Sequence, residues 1–249
     1  MPIAPPFATF NILDGIPSMP HGPQIQKMFT NISRRYDMVN HALSLGMDFY
    51  WWRRMAKKSG AAPQKLFLDV AAGTGDSSMA IARLGADVIS TDFTHSMLRF
   101  SVLKSYQKKL EDKVWGFADA DAQRLPFKSN QFDGVTVCYG VRNIENRDLA
   151  FQEFLRVLKP HGQLTILEFS TPPNRLFRKL YDVYSRYILP LIGTLVARDR
   201  SAYDYLRESI RAFPNQVSLA GELRRSGFKS VEWINLTGGI VAIHSAIKE

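Results

Sequence analysis

The segment best suited to chemistry is Asp69-Val70-Ala71-Ala72-Gly73-Thr74-Gly75-Asp76. An apolar run, Leu66 to Ala71, leads into it, and a helical pattern from Ser77 to Leu84 follows. Two glycines at a strand-to-helix turn let backbone approach a ligand with no Cβ in the way. The helix start adds unpaired N–H groups and positive potential. A dinucleotide fingerprint needs a third glycine at position 78, where Ser78 stands, so a pyrophosphate ligand is disfavoured. Asp92 closes a second strand-like run, Asp87 to Thr91. It can accept hydrogen bonds from both hydroxyls of a ribose, or serve only as an acid ahead of a helix capped by Ser96. Asp121 follows a third run, Val114 to Ala118. It can take the exocyclic amine of an adenine, with the Ala122 N–H on a ring nitrogen and Leu125, Pro126 and Phe127 as an apolar wall. The plain alternative is an acidic loop closed by a proline turn. Ligands of open α/β sheets bind beyond the carboxyl ends of the strands, where these acids fall.

The elements that must hold these residues are legible around them. A helix is expected from Ser96 toward Asp112, a fourth strand over Phe132 to Cys138, a helix over Asp148 to Leu158 stopped by Pro160 and Gly162, and a fifth strand over Leu164 to Phe169. Two more strand-like runs, Val231 to Leu236 and Ile240 to Ala246, close the chain. Strands alternating with helices at this spacing predict βαβ units and a parallel sheet, and near-continuous apolar strands predict helices on both faces.

Outside that core, residues 1–23 are rich in proline and glycine and read as a flexible arm, with no leader peptide expected. Residues 24–249 read as one domain. Within it, 24–60 is a helical cover with Met28, Ile32 and Tyr36 at helical spacing. A helical cap insertion, 174–215, interleaves Leu176, Phe177, Leu180 and Tyr181 with Arg175, Arg178 and Lys179. The single cysteine, Cys138, excludes an internal disulfide framework or a thiolate zinc cluster and fits a reducing cytoplasm. The formal net charge of +9 points to an anionic partner (nucleic acid, acidic lipid or charged substrate) or simply to a basic surface.

Leu68 to Asp76 resembles motif I of the S-adenosylmethionine-dependent methyltransferases. Longer segments narrow the resemblance to the ubiquinone/menaquinone biosynthesis C-methyltransferases, the UbiE/MenG group. They are Tyr36 to Asn40 through Ser44, Gly46, Trp51 and Arg53; Arg156 to Pro160 through Leu167 to Ser170; Tyr139 to Asn143; Ser209 to Pro214; and Thr237 to His244. Three positions depart from the pattern. Asp48 and Phe49 stand where the family has a histidine and often a basic residue, and His161 replaces a turn glycine, at a position that histidine tolerates with positive φ.

The resemblance implies an α/β, Rossmann-like fold with a seven-stranded, mostly parallel sheet whose last strand is antiparallel. It implies methyl transfer from S-adenosyl-L-methionine to a ring carbon of a polyprenylated quinol, demethylmenaquinol first and a ubiquinone-pathway benzoquinol beside it. Asp69, Gly73, Thr74, Gly75, Asp92, Asp121, Ala122 and Cys138 fall on cofactor-binding positions. On the acceptor side Arg142 is expected to stabilise a phenolate as a preorganised charge, Asn143 to orient the oxygen or a water, and Tyr36 to close the pocket. Arg142 paired with Glu145 at the surface, and Tyr36 merely packed, are the alternatives. His41, His95 and His244 lack metal-ligand spacing, so no metal is expected. The basic, apolar cap predicts peripheral contact with the inner membrane surface. No nucleic-acid partner is expected, and a homodimer stays open. Rival readings are a methyltransferase of a soluble phenol, an RNA methyltransferase, and a cofactor binder without catalysis.

Overall fold

The computed structural model describes His41 and residues 44–185 and 200–249. The predicted arm, the first cover helix with Tyr36, and the cap residues 186–199 lie outside the described residues. The elements run α1 (Met47–Lys58), β1 (Leu66–Val70), α2 (Asp76–Ala82), β2 (Asp87–Asp92), α3 (His95–Gln107), β3 (Val114–Asp119) and β4 (Phe132–Cys138). A 3₁₀ turn (Val141–Asn143) leads to α4 (Arg147–Val157), β5 (Leu158–Phe169), α5 (Arg175–Val183), α6 (Arg200–Ala212) and α7 (Gln216–Arg225). The chain ends with β6 (Lys229–Leu236), a 3₁₀ turn (Thr237–Gly239) and β7 (Val241–Ile247).

The seven strands form one sheet in the order β3-β2-β1-β4-β5-β7-β6. Neighbours from β3 through β5 pair in parallel, and β7 runs antiparallel to both β5 and β6. This is the expected architecture. Its switch point lies between β1 and β4, where the strand order reverses and ligands of such sheets bind.

Alternation along the strands sorts the core into two layers. Leu68, Val70, Val135, Val137, Leu164 and Ile166 pack with Phe151 and Phe154 of α4 and Leu219 and Leu223 of α7. Phe67, Val88, Val114, Leu167 and Ile243 pack with Trp51 and Met55 of α1 and Met79 and Ile81 of α2. Asp69 therefore faces the α2 side, in register with Ser90 of β2 and Thr136 of β4.

Element ends differ from expectation for identifiable reasons. Thr94, not Ser96, is the N-cap of α3, because the Asp92 carboxylate takes the Thr94 N–H and turns the chain there. The same helix stops at Gln107 rather than near Asp112, as Lys109 adopts φ 54°. Asn146 starts α4 by accepting the Leu149 N–H, and β5 begins at Leu158 as soon as that helix ends. His161 has φ 63°, as its replacement of glycine requires.

Candidate active site

The glycine turn is built by its neighbours. Asp69 is fully buried and accepts hydrogen bonds from Ser77 Oγ (2.6 Å), Ser78 Oγ (2.6 Å) and Thr136 Oγ1 (2.8 Å). It thus ties the first turn of α2 to β4. Burial pushes its carboxyl pKa up while these donors pull it back. Ser78, at the missing third glycine, spans Asp69 and Ser90 Oγ (2.8 Å), so this position serves a clamp and not a phosphate. Gly75 has φ 87°, and a Cβ there would lie 2.1 Å from Ser101 Oγ. Gly73 has φ 57°, but its missing Cβ would meet nothing within 4 Å, because that side opens onto a cavity.

The cavity holds about 250 Å³ between the ends of β1, β2 and β4. Of the residues proposed from the sequence, Gly73, Asp92, Asp121, Ala122, Cys138 and Asn143 line it together. Asp92 accepts the Gly73 N–H on Oδ2 (2.8 Å) and the Thr94 N–H on Oδ1 (2.8 Å). Desolvation outweighs these bonds and raises its pKa to about 6. Asp121 accepts from the Gln123 N–H (2.9 Å) and side-chain amide. Burial raises the Cys138 thiol well above its ordinary range, so it is a neutral wall residue.

Four predicted site residues stand elsewhere. Asp69 lies behind the turn and acts through it. Thr74 is buried within reach of Lys104 Nζ (3.3 Å), and Gly75 makes room for Ser101; neither lines the cavity. Arg142 is the main correction. Its side chain is 5% exposed and donates to Glu168 Oε1 (2.8 Å) and to the Tyr139 carbonyl, with its guanidinium 5.5 Å from the Phe169 ring centre. It sits behind the wall and not at the surface, paired with Glu168. A buried guanidinium needs a carboxylate, and Glu168 at the end of β5 supplies one. The expected apolar wall is also displaced. Arg156 donates to the Leu125 and Phe127 carbonyls and holds that loop back, while Phe127 packs on Phe132 (5.1 Å). Phe93, Met97 and Ile144 take its place at the cavity.

Several contributors carried no legible sequence signal. Tyr139 lines the cavity with φ 56°, and its buried hydroxyl has no hydrogen-bond partner among the described residues. Tyr205 of α6 donates to Asn143 Oδ1 (2.8 Å). The Asp48 departure is answered by His41: the buried carboxylate pairs with His41 Nδ1 and accepts the Phe49 N–H (3.0 Å), and His41 stacks on Phe49 (4.5 Å). Asp48 is thereby spent on holding the cover together.

No lysine or arginine lines the cavity among the described residues, whereas Asp92, Asp121 and Glu145 do. Such a wall suits a cationic nucleoside and repels a pyrophosphate. Gly73 leaves space for it, and the Asp92 carboxylate retains lone pairs for ribose hydroxyls. S-adenosylmethionine, a sulfonium nucleoside, fits these residues.

The comparisons with known proteins agree with that chemistry. The model of the ubiE/COQ5 methyltransferase family matches residues 20–248. The ubiquinone/menaquinone biosynthesis C-methyltransferase UbiE of Stutzerimonas stutzeri is 40% identical over 236 residues, covering 94% of this chain and 92% of that one. The demethylmenaquinone methyltransferase of Streptomyces avermitilis is 43% identical over 229 residues, covering 92% and 95%. Among solved structures, a SAM-dependent methyltransferase from Aquifex aeolicus has TM-score 0.61 at 14% identity, covering 92% of this chain and all of that one. A phosphoethanolamine N-methyltransferase of Haemonchus contortus, bound to S-adenosyl-L-methionine, has TM-score 0.58 at 17% identity, covering 88% and 60%; both likenesses carry the fold alone. With a family model spanning nearly its whole length and relatives of 40% identity or more over nine-tenths of it, the chain belongs to the ubiE/COQ5 methyltransferase family.

Proposed function

We infer that the protein is an S-adenosylmethionine-dependent C-methyltransferase of quinone biosynthesis. It methylates the ring of a polyprenylated quinol, demethylmenaquinol before the ubiquinone-pathway benzoquinol. The observation that carries this is the acid-lined cavity at the β1–β4 switch point, opened by Gly73, in a chain of this family.

When bound, the cofactor supplies an electrophilic methyl group on a good leaving group, so covalent catalysis by the protein is unnecessary. The protein must align, exclude water and raise the nucleophilicity of the acceptor carbon. Asp92 would hold the ribose, Asp121 and the Ala122 N–H would hold the adenine, and Gly73 would let the backbone approach. A carbon ortho to a phenolate is far more nucleophilic than one ortho to a phenol. Asn143, on the wall, orients the acceptor oxygen. Arg142 with Glu168 fixes the 3₁₀ turn that presents Asn143. The proton that the acceptor ring carbon must lose would pass to water.

The membrane side of the reading rests on α5. Leu176 is 70% and Leu180 61% exposed, with Arg175 and Lys179 interspersed and Phe177 packed over Gly238. No helix among the described residues is long and apolar enough to cross a membrane. An amphipathic helix lying on an anionic surface gives access to a polyprenyl substrate without crossing it. The test is transfer of labelled methyl to demethylmenaquinone and to a demethylated benzoquinone in vesicles, each with and without reductant. Lipid label under reduction alone is expected. Label in a soluble phenol or in RNA, with none in lipid, overturns the reading.

A further inference from the structure

Asn143 ends the 3₁₀ turn after β4, and its position is fixed from three directions. Its own N–H donates to the Gly140 carbonyl (3.0 Å), and the preceding Arg142 N–H donates to Glu168 (3.3 Å). The third tie comes from far along the chain: Tyr205 of α6 donates its hydroxyl proton to Asn143 Oδ1 at 2.8 Å. A side-chain amide has one carbonyl oxygen and two N–H donors. Once a phenol occupies the oxygen, what the amide offers the cavity is its NH₂.

We propose that Tyr205 is a positioning residue that sets the hydrogen-bonding direction of Asn143, so that Asn143 meets the acceptor as a donor to the quinol oxygen. This rests on the methyltransferase reading and deepens it. The ring carbon gains electron density as the quinol loses its hydroxyl proton, and the resulting oxyanion needs a donor that is in place before the reaction begins. Arg142 cannot serve directly, because its guanidinium is held behind the wall by Glu168 and Tyr139. A donor polarised through its carbonyl by a phenol is a neutral substitute in the same place. Burial holds the Tyr205 pKa above the ordinary tyrosine value, which keeps its proton on oxygen and available to Asn143. The arrangement also makes the catalytic wall depend on α6. Docking of that helix and orientation of the donor are then one event.

The test uses the full chain in vesicles with reduced demethylmenaquinone, and reads kcat, KM, cofactor Kd and melting temperature for Tyr205→Phe, Asn143→Ala, Asn143→Asp and the Y205F/N143A pair. Y205F is expected to lower kcat on the order of tenfold, for one lost orienting hydrogen bond, with cofactor Kd and melting temperature unchanged. N143A is expected to lower kcat on the order of a hundredfold, and the pair to be no worse than N143A alone. N143D keeps an oxygen for Tyr205 but has no N–H, so it is expected to fall as far as N143A. Wild-type kcat in Y205F, additive losses in the pair, or an active N143D overturns the proposal while wild-type turnover leaves the methyltransferase reading intact. A wild type that labels no quinol overturns both.

Discussion

Asp92, which we propose holds the cofactor ribose, is buried at a cost to the protein, and replacing it should separate the two. The folded chain holds its pKa at about 6 against an ordinary 3.8, chiefly through desolvation. A carboxyl whose pKa rises on folding stabilises the native state only while protonated, so stability falls as pH climbs from about 4 to about 6. The difference amounts to about 3 kcal/mol near neutral pH. Asp92→Asn removes that cost but keeps an oxygen for only one of the two N–H donors, Gly73 or Thr94. An unmet donor costs about 1–3 kcal/mol, so the unliganded melting temperature should hold or rise by a few degrees. Binding should respond oppositely. One charge-assisted ribose hydrogen bond is worth about 1.5–3 kcal/mol, a loss of roughly tenfold to a hundredfold in affinity. Calorimetric titration with S-adenosylhomocysteine from pH 5 to 8 measures this. Wild-type affinity should fall about tenfold per unit below pH 6, and the variant should be weak and flat. Equal affinity in the two proteins, or the same pH slope, would refute the reasoning.

Other substitutions probe the parts that position the site. Gly75→Ala forces a Cβ against Ser101 Oγ at φ 87°, and should abolish cofactor binding in the same titration; G75A/S101G should restore part of it, since the φ strain of about 1–3 kcal/mol remains. Tyr139→Phe removes a buried hydroxyl without a partner among the described residues, and should raise the unliganded melting temperature by a few degrees, for about 1 kcal/mol. Glu168→Leu removes the Glu168 carboxylate from the buried Arg142 and should cost about 3–5 kcal/mol, a drop on the order of 10 °C by thermal unfolding. L176E/L180E on α5 should abolish sedimentation with anionic vesicles while leaving cofactor affinity unchanged.

The sheet was legible because its strands are short apolar runs ending in acids and glycines, and because a parallel sheet leaves few ways to connect them. Gly73, Asp92 and Asp121 were legible for the same reason: each follows a strand at the end where ligands bind. What eluded sequence reasoning was direction. Position 69 lies two residues before the turn, and only β-strand alternation, read with the serines of α2, places Asp69 behind it. Arg142 is adjacent to Asn143 in the chain, yet a 3₁₀ turn sends the two side chains to opposite sides, and the partner that decides this, Glu168, lies on β5. Tyr205 acts on Asn143 from 62 residues further along the chain, and nothing in spacing announces such a partner across the fold. The loop of Leu125 to Phe127 reads as a wall because it is apolar, but Arg156 holds it away.

The decisive measurement is the position of the transferred methyl. The full chain would be given trideuteromethyl S-adenosylmethionine and reduced demethylmenaquinone in vesicles, and the lipid product fragmented by mass spectrometry. The label should sit on the naphthoquinol ring carbon, and remain after reoxidation to the quinone. Label on oxygen, lost with the ether, or label absent from lipid while the cofactor still binds tightly, would contradict C-methylation of a quinol.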